Sequence, residues 1–280
     1  MRKESKKSFA ARTISGVISI FKCPVCGSEM KIEDLSKLVC EENHQFDLAK
    51  QGYLHMVQQH KKTKYSKELF ESRQDICQSG FYDGLIDGLH EVIYKLQNSK
   101  QPSVILDAGT GEGSHLVRLS DQLNEEVKPI GMDIAKEGIQ VAARSYTQAT
   151  WIVADLANIP LQPHSVDFLL NILSPANYDE FKRVMNEESN LIKVVPGEKY
   201  LEELRAQVGH DAYSNEKTVD HLSEHFTLIE RKTVHYKAEI NPQMFENLIK
   251  MTPLTWNTDP ADLKYCERIT VHLEILVCKK

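Results

Sequence analysis

Long apolar runs are missing from this chain. No stretch of its 280 residues approaches the roughly 18 consecutive apolar side chains of a membrane helix. Mean hydropathy is −0.40, so no membrane partner is expected. Internal repeats and low-complexity tracts are also lacking. With 41% hydrophobic and 26% charged residues, a mainly disordered or collagen-like chain is excluded. A disulfide-stapled mini-protein is excluded as well, since six cysteines are thinly spread over 280 residues of ordinary globular composition. A secretory leader needs an unbroken apolar core, and Ser15, Gly16 and Ser19 interrupt the one around Ile14, Val17, Ile18 and Ile20. Residues 1–20 therefore read as a loose basic tail, and the chain as cytoplasmic. Its length divides into roughly two domains of about 150 residues.

Charge of one sign is short overall but unevenly placed. The total is −6, which by itself argues against nucleic acid as a partner. Residues 1–64, however, carry twelve Lys and Arg against seven Asp and Glu, a net +5, which leaves −11 on the remainder. A basic head on an acidic body suits a protein that approaches phosphate from one end.

Three of the six cysteines fall close together, as Cys23, Cys26 and Cys40, and His44 follows. The spacing Cys-x2-Cys-x13-Cys-x3-His is that of a closed tetrahedral zinc site. Pro24 and Gly27 tighten the first turn so that two thiolates aim at one point. Such a site supplies about 10–16 kcal/mol of apparent binding energy, in place of the core so short a segment lacks. A redox dithiol or free buried thiols would leave Cys40 and His44 unexplained. Cys77, Cys266 and Cys278 lack such neighbours and read as buried thiols.

The segments follow from patterning. Residues 21–60 read as a zinc ribbon whose last strand lies near Tyr53–Val57. Residues 61–100 form a helical connector, with helices near Lys67–Gln78 and Tyr82–Leu96 separated by Ser79-Gly80. From residue 101 to 280, apolar runs alternate with helical stretches: VILDAG, IGMD, WIVAD, VDFLLNI and LIKVV. That alternation predicts an α/β doubly wound sheet. After Gln207 the helical pattern weakens, and Ile269–Cys278 reads as a closing antiparallel strand at the sheet edge.

Chemistry concentrates where the first of these strands ends. Three of thirteen glycines stand in Asp107-Ala-Gly109-Thr-Gly111-Glu-Gly113. A strand running into a glycine-rich turn and a helix N-terminus lets a ligand lie against bare backbone. The dinucleotide fingerprint would need glycine at 114, where Ser114 stands. Asp107-x-Gly-x-Gly-x-Gly instead resembles the S-adenosylmethionine loop of class I methyltransferases. Asp133, ending the second strand, can accept from ribose hydroxyls, and Asp155-Leu156, after the third, can meet the adenine edge.

Longer strings carry a closer likeness. They are F-K-C-P-V-C-G from Phe21, H-Q-F-D-L-A-K-Q-G-Y-L from His44, S-G-F-Y from Ser79 and L-D-A-G-T-G-E-G from Leu106. N-I-L-S-P-A-N from Asn171, V-P-G-E-K-Y-L-E-E-L-R from Val195 and M-T-P-L-T-W from Met251 complete the set. From Phe21 nearly to the C-terminus the chain resembles the 23S rRNA (guanine-N1)-methyltransferase family, closer to its Gram-positive branch. The resemblance implies a class I, Rossmann-like methyltransferase domain behind a small zinc ribbon, with S-adenosylmethionine and structural zinc as cofactors. It places Cys23, Cys26, Cys40 and His44 on the metal, and Gly111, Glu112 and Tyr82 on the cofactor. Thr110 stands where the family usually has cysteine. Tyr200 stands where the enterobacterial branch has a histidine near the cofactor.

The reaction implied is methyl transfer to N1 of a guanine in a hairpin of 23S rRNA. N1 lies on the Watson–Crick edge, so the base must be unpaired, and its proton must leave. Asn171 with the Ser174-Pro175 turn, Glu112 and His115 are the candidates for assisting that loss, and proton loss to water is the alternative. Trp256 is a candidate stacking surface. Lys50, Tyr53, His60, Lys61, Lys62, Lys64 and Arg73 are candidates to grip RNA. A homodimer is compatible with the sequence. Two rival readings are a small-molecule methyltransferase with a structural zinc site and a zinc-ribbon binding module on a degenerate scaffold. The basic head disfavours the first, and the intact glycine loop disfavours the second.

Overall fold

A computed structural model describes residues 5–57, 64–97, 103–123, 127–210 and 212–280. Helix α1 (Lys6–Ser15) precedes three short strands, β1 (Met30–Glu33), β2 (Lys37–Cys40) and β3 (Gln45–Asp47). Then come β4 (Tyr53–His55), α2 (Lys67–Gln78) and α3 (Asp83–Leu96). The alternating part comprises β5 (Ser103–Ala108), α4 (Ser114–Leu123), β6 (Val127–Asp133), α5 (Lys136–Ser145) and β7 (Thr150–Val153). It continues through β8 (Val166–Ile172), α6 (Tyr178–Val184), β9 (Met185–Pro196), α7 (Glu202–Gln207) and α8 (Glu216–Ser223). β10 (Thr227–Glu239), α9 (Pro242–Met251) and β11 (Arg268–Lys279) close the chain.

β1, β2 and β3 form an antiparallel ribbon. The other eight strands make one sheet in the order β10-β11-β9-β8-β5-β6-β7-β4. From β9 to β4 all pairings are parallel, whereas β11 runs antiparallel between β9 and β10. Strands buried on both faces need apolar residues at successive positions. In β5, Ile105 packs with α3, α4, α5 and α9 on one face, and Leu106 with α1, α6 and the ribbon on the other. This is the class I methyltransferase fold. The chain leaves β5 for the helices of one face and β8 for α6 on the other, so a crevice opens at the carboxyl ends of these two strands.

Three expectations are corrected. Residues 6–15 are not a loose tail. Ser5 caps α1 by accepting from the Ser8 amide, and Ala10, Ala11 and Ile14 are buried against the sheet. An apolar stripe interleaved with cations reads as a tail until a surface exists for it to cover. The strand at Tyr53 leaves the ribbon and lies parallel to β7, with Leu54 opposite Ile152. The closing strand β11 is internal, because β10 covers its outer side. β10 escapes prediction because its only alternating apolar run is the short Val234, Tyr236 and Ala238, and Val234 alone of its thirteen residues is buried.

The ribbon and sheet share one core: Cys23, Leu38, Cys40 and Leu48 cluster with Leu54, Ile130 and Ile152. Leu54 is fully buried at this junction. Leu54→Ala should therefore destabilise the protein by about 2–5 kcal/mol. Thermal unfolding followed by the buried Trp151 and by zinc release should give coincident transitions, and two separate transitions would show that the ribbon folds apart from the sheet.

Candidate functional site

The four ribbon ligands converge. Sγ of Cys23, Cys26 and Cys40 and a ring nitrogen of His44 all lie within 4.8 Å of one another. Cys26 Sγ is 3.6 Å from Cys40 Sγ, and His44 Nδ1 is 3.3 Å from Cys40 Sγ and 3.7 Å from Cys23 Sγ. A zinc tetrahedron with ordinary bond lengths has edges of about 3.5–3.8 Å, so the donor set fits the ion. The Ser28 hydroxyl, 3.0 Å from Cys26 Sγ, helps to pull that thiol down to about 6, towards the thiolate that zinc binds. Cys23 and Cys40 are buried, and Cys26 faces outward.

The crevice at the strand ends is a cavity of about 650 Å³. Asp107, Asp133 and Asp155, at the ends of β5 and β6 and just beyond β7, all line it. Asp133 is held rigidly, its two oxygens accepting at 2.8 Å from the Gly111 and Ala135 amides. A carboxylate has about four acceptor sites, so capacity for hydroxyls remains. Asp155 accepts from the Ala157 amide at 3.0 Å, and Leu156 lines the cavity beside it. Asp107 is buried; Oδ2 accepts from the Thr110 hydroxyl at 2.6 Å, and Oδ1 has no partner among the described residues. Burial, reinforced by the charges of Asp133 and Glu112, pushes its carboxyl up to about 7.

The glycine turn follows from close packing. Gly109, at φ +88°, lies against Ser174, and Gly113, at φ +82°, lies so close to the Trp151 ring that a Cβ would overlap it. Glu112 is buried beneath the turn with its carboxylate on the amide and hydroxyl of Ser114, and is not among the residues lining the cavity. Tyr82 and Tyr200, distant in sequence, bring their hydroxyls within 2.7 Å of each other on the cavity wall. Burial pushes the Tyr82 phenol well up and that of Tyr200 to about 12, so both are neutral at ordinary pH. His115 packs edge-on against Tyr82 with ring centroids 5.0 Å apart, and burial drops its imidazole to about 3.

The opposite rim is the loop after β8. Asn171 is wholly buried and its amide points inward, Nδ2 lying 2.9 Å from the carbonyls of both Ala108 and Pro175. Its Oδ1 accepts from the buried Lys193. Leu173 holds φ +50°, an uncommon conformation for leucine, and lines the cavity.

Other expected RNA contacts are scattered. Tyr53 is buried in β4, its hydroxyl accepting from Gln140 at 3.3 Å, which removes it as a stacking surface. Arg73 turns into the cavity. Lys50 and Lys64 are exposed, and His60, Lys61 and Lys62 lie outside the described residues. Trp256, 43% exposed, meets Tyr65 at the rim, with centroids 5.8 Å apart. Tyr65, Phe70 and Tyr213 also line the cavity, and nothing in their local sequence signals it.

A family model described as "RlmA, N-terminal" matches residues 21–64, and one described as "Methyltransferase domain" matches residues 105–194. The YxjB protein of Bacillus subtilis (strain 168), named provisionally as a 23S rRNA (guanine-N(1)-)-methyltransferase, is 36% identical over 94% of this chain and 98% of its own. The chain belongs to the 23S rRNA (guanine-N1)-methyltransferase family. A Streptomyces fradiae relative named 23S rRNA (guanine(748)-N(1))-methyltransferase is 25% identical over 94% of this chain and 98% of its own. A SAM-dependent methyltransferase from Aquifex aeolicus shares the fold, with TM-score 0.50 and 16% identity, covering 77% of this chain and 98% of that one. In this family and fold S-adenosylmethionine is the cofactor and zinc the structural metal. The unpaired Asp107 oxygen fits the former, because a buried acceptor without a partner is what a cationic ammonium satisfies.

A pH dependence follows. In the free protein the Asp107 carboxyl is mostly protonated below about 7, and a cationic ligand requires it ionised. Affinity for S-adenosylhomocysteine, which carries the same amino-acid end, should rise from pH 5.5 to 7.5, by up to about tenfold per unit below the carboxyl's pKa. Asp107→Asn should weaken binding and flatten that rise in calorimetry. An unchanged slope in the variant would assign the titration to another group.

Proposed function

We propose that the chain transfers a methyl group from S-adenosylmethionine to N1 of a guanine in a hairpin of 23S rRNA, in the cytoplasm. The observation that carries this reading is the joining, in one chain, of a Cys3His ribbon and a cavity walled by Asp107, Asp133 and Asp155. The names of the relatives that span nearly the whole chain support it. We place the ribose on Asp133, the adenine beside Asp155 and Leu156, the ammonium on Asp107, and the methionine end near Tyr82, Tyr200 and the turn from Gly109 to Gly113.

The cofactor supplies an electrophilic methyl group, so alignment is the protein's main contribution, and well-oriented steps gain about 7–11 kcal/mol. Asn171 acts as a positioning residue. Its amide hydrogens are spent on buried oxygens and its carbonyl on Lys193, so it holds the rim from Leu173 to Pro175 against the end of β5. His115, held neutral with its pKa near 3, is too weak a base to retain the N1 proton and serves to pack Tyr82. Tyr65 and Trp256, open at the rim, offer faces on which an unpaired base can stack.

The deciding experiment incubates the protein with 23S rRNA fragments and labelled cofactor, then maps the modified nucleotide by mass spectrometry. N1-methylguanine at a single hairpin position is expected, and transfer to small metabolites with none to RNA would favour the small-molecule reading. Changing Lys61, Lys62 and Lys64 together to Gln should lower the salt dependence of RNA binding by about two to three units, one phosphate contact each. Cofactor affinity should be unchanged. An unaltered salt slope would remove these lysines from the RNA interface.

A further inference from the structure

Arg73 is the sole Lys or Arg among the described residues lining the cavity. Its place is set by α2, where Phe70 and Arg73, three residues apart, share a helical face. The guanidinium carbon sits 5.6 Å from the Phe70 ring centroid. One terminal nitrogen, Nη2, donates to the Met251 carbonyl at 3.5 Å, tying the group to the end of α9. The other, Nη1, stands 3.3 Å from the point a Cβ on Gly111 would occupy, so the cation hangs over the glycine turn. No carboxylate among the described residues pairs with it. Its field nevertheless reaches the site, opposing the effect of burial on both Asp133 and Glu112.

The ligand assigned to this cavity carries a sulfonium, an ammonium, two ribose hydroxyls and one carboxylate. Asp107, Asp133 and Asp155 suit the cations and hydroxyls and repel the carboxylate. An anion enters a cavity ringed by acidic groups only where a cation receives it, and a planar guanidinium receives a carboxylate through two parallel hydrogen bonds. We propose that Arg73 anchors the carboxylate of the cofactor's amino-acid end over the turn at Gly111. It thereby sets, with Asp107 on the ammonium, how far the reactive methyl projects towards the rim at Leu173. The inference rests on the reading of the cavity as an S-adenosylmethionine site, and it removes Arg73 from the residues that grip RNA.

The test compares two ligands by calorimetry on the full-length, zinc-loaded protein. S-adenosylhomocysteine has the amino-acid end, whereas 5′-methylthioadenosine keeps the adenosine and thioether and lacks it. Arg73→Met should weaken S-adenosylhomocysteine about 10- to 100-fold and leave 5′-methylthioadenosine within about twofold, which also reports that the variant is folded. Arg73→Lys, keeping the charge without the fork, should lose less. Equal losses for both ligands would show a merely structural residue and overturn the proposal, as would no loss for either. If Arg73→Met instead lowers the salt slope of 23S rRNA fragment binding by the cofactor-free protein, the guanidinium belongs to a phosphate and the proposal fails. A native protein that binds neither ligand would defeat the cofactor reading itself, a result distinct from these.

Discussion

An unpaired carboxylate oxygen buried at the end of the central strand is the interaction on which the site is organised. Leaving a buried acceptor without a partner costs about 1–3 kcal/mol, and Asp107 Oδ1 is in that position. Two more carboxylates, Asp133 and Glu112, raise the cost by repulsion. Asp107 Oδ1 thus offers the cavity an acceptor that no group among the described residues satisfies. The turn after β5 packs Gly109 on Ser174 and Gly113 on Trp151, which holds it against the loop after β8 and against β7.

The rim depends on the same corner. Asn171 and Ser174 both bond the Ala108 carbonyl, the last residue of β5, so the loop that would meet the target base is fastened to the strand that carries Asp107. Lys193, buried in the neighbouring strand and lowered to about 8 by desolvation, fixes which way the Asn171 amide faces. An amide so oriented turns both its hydrogens to carbonyls, and the rim keeps the φ of +50° at Leu173. The strand end that carries Asp107 and the rim after β8 are therefore one hydrogen-bonded unit at the switch point between β5 and β8.

The ribbon is built on a different economy of energy. Its three short strands enclose few apolar side chains, and zinc supplies the cohesion that a larger core would give. Yet it is not an appendage. α1 and β4 flank it in sequence and both dock on the sheet, and its buried cysteines share a cluster with β6 and β7.

Much of this was legible in the order of residues. The spacing of Cys23, Cys26, Cys40 and His44, the turn from Asp107 to Gly113 and the acidic strand ends at Asp133 and Asp155 are short-range patterns. Cys23 with Cys26, Cys40 with His44, and the successive glycines of the turn stand two to four positions apart, so local chain geometry suffices to express them. The parallel strands were legible too, since burial on both faces demands runs such as VDFLLNI. What only the tertiary structure decided lies where the partner is remote in sequence. α1 looked like a tail until the sheet offered its face, and β10, with a single buried residue, is a strand because β11 needs a neighbour for its backbone. Asn171, Tyr53 and Arg73 all looked able to reach a ligand. The Ala108 carbonyl, more than sixty residues away, claims the first, and the pairing of β4 with β7 claims the second. Phe70 and Met251 steer the third over the glycine turn. Residue type and spacing determine which groups are available, but the direction of a long side chain is set by whatever surface folds against it.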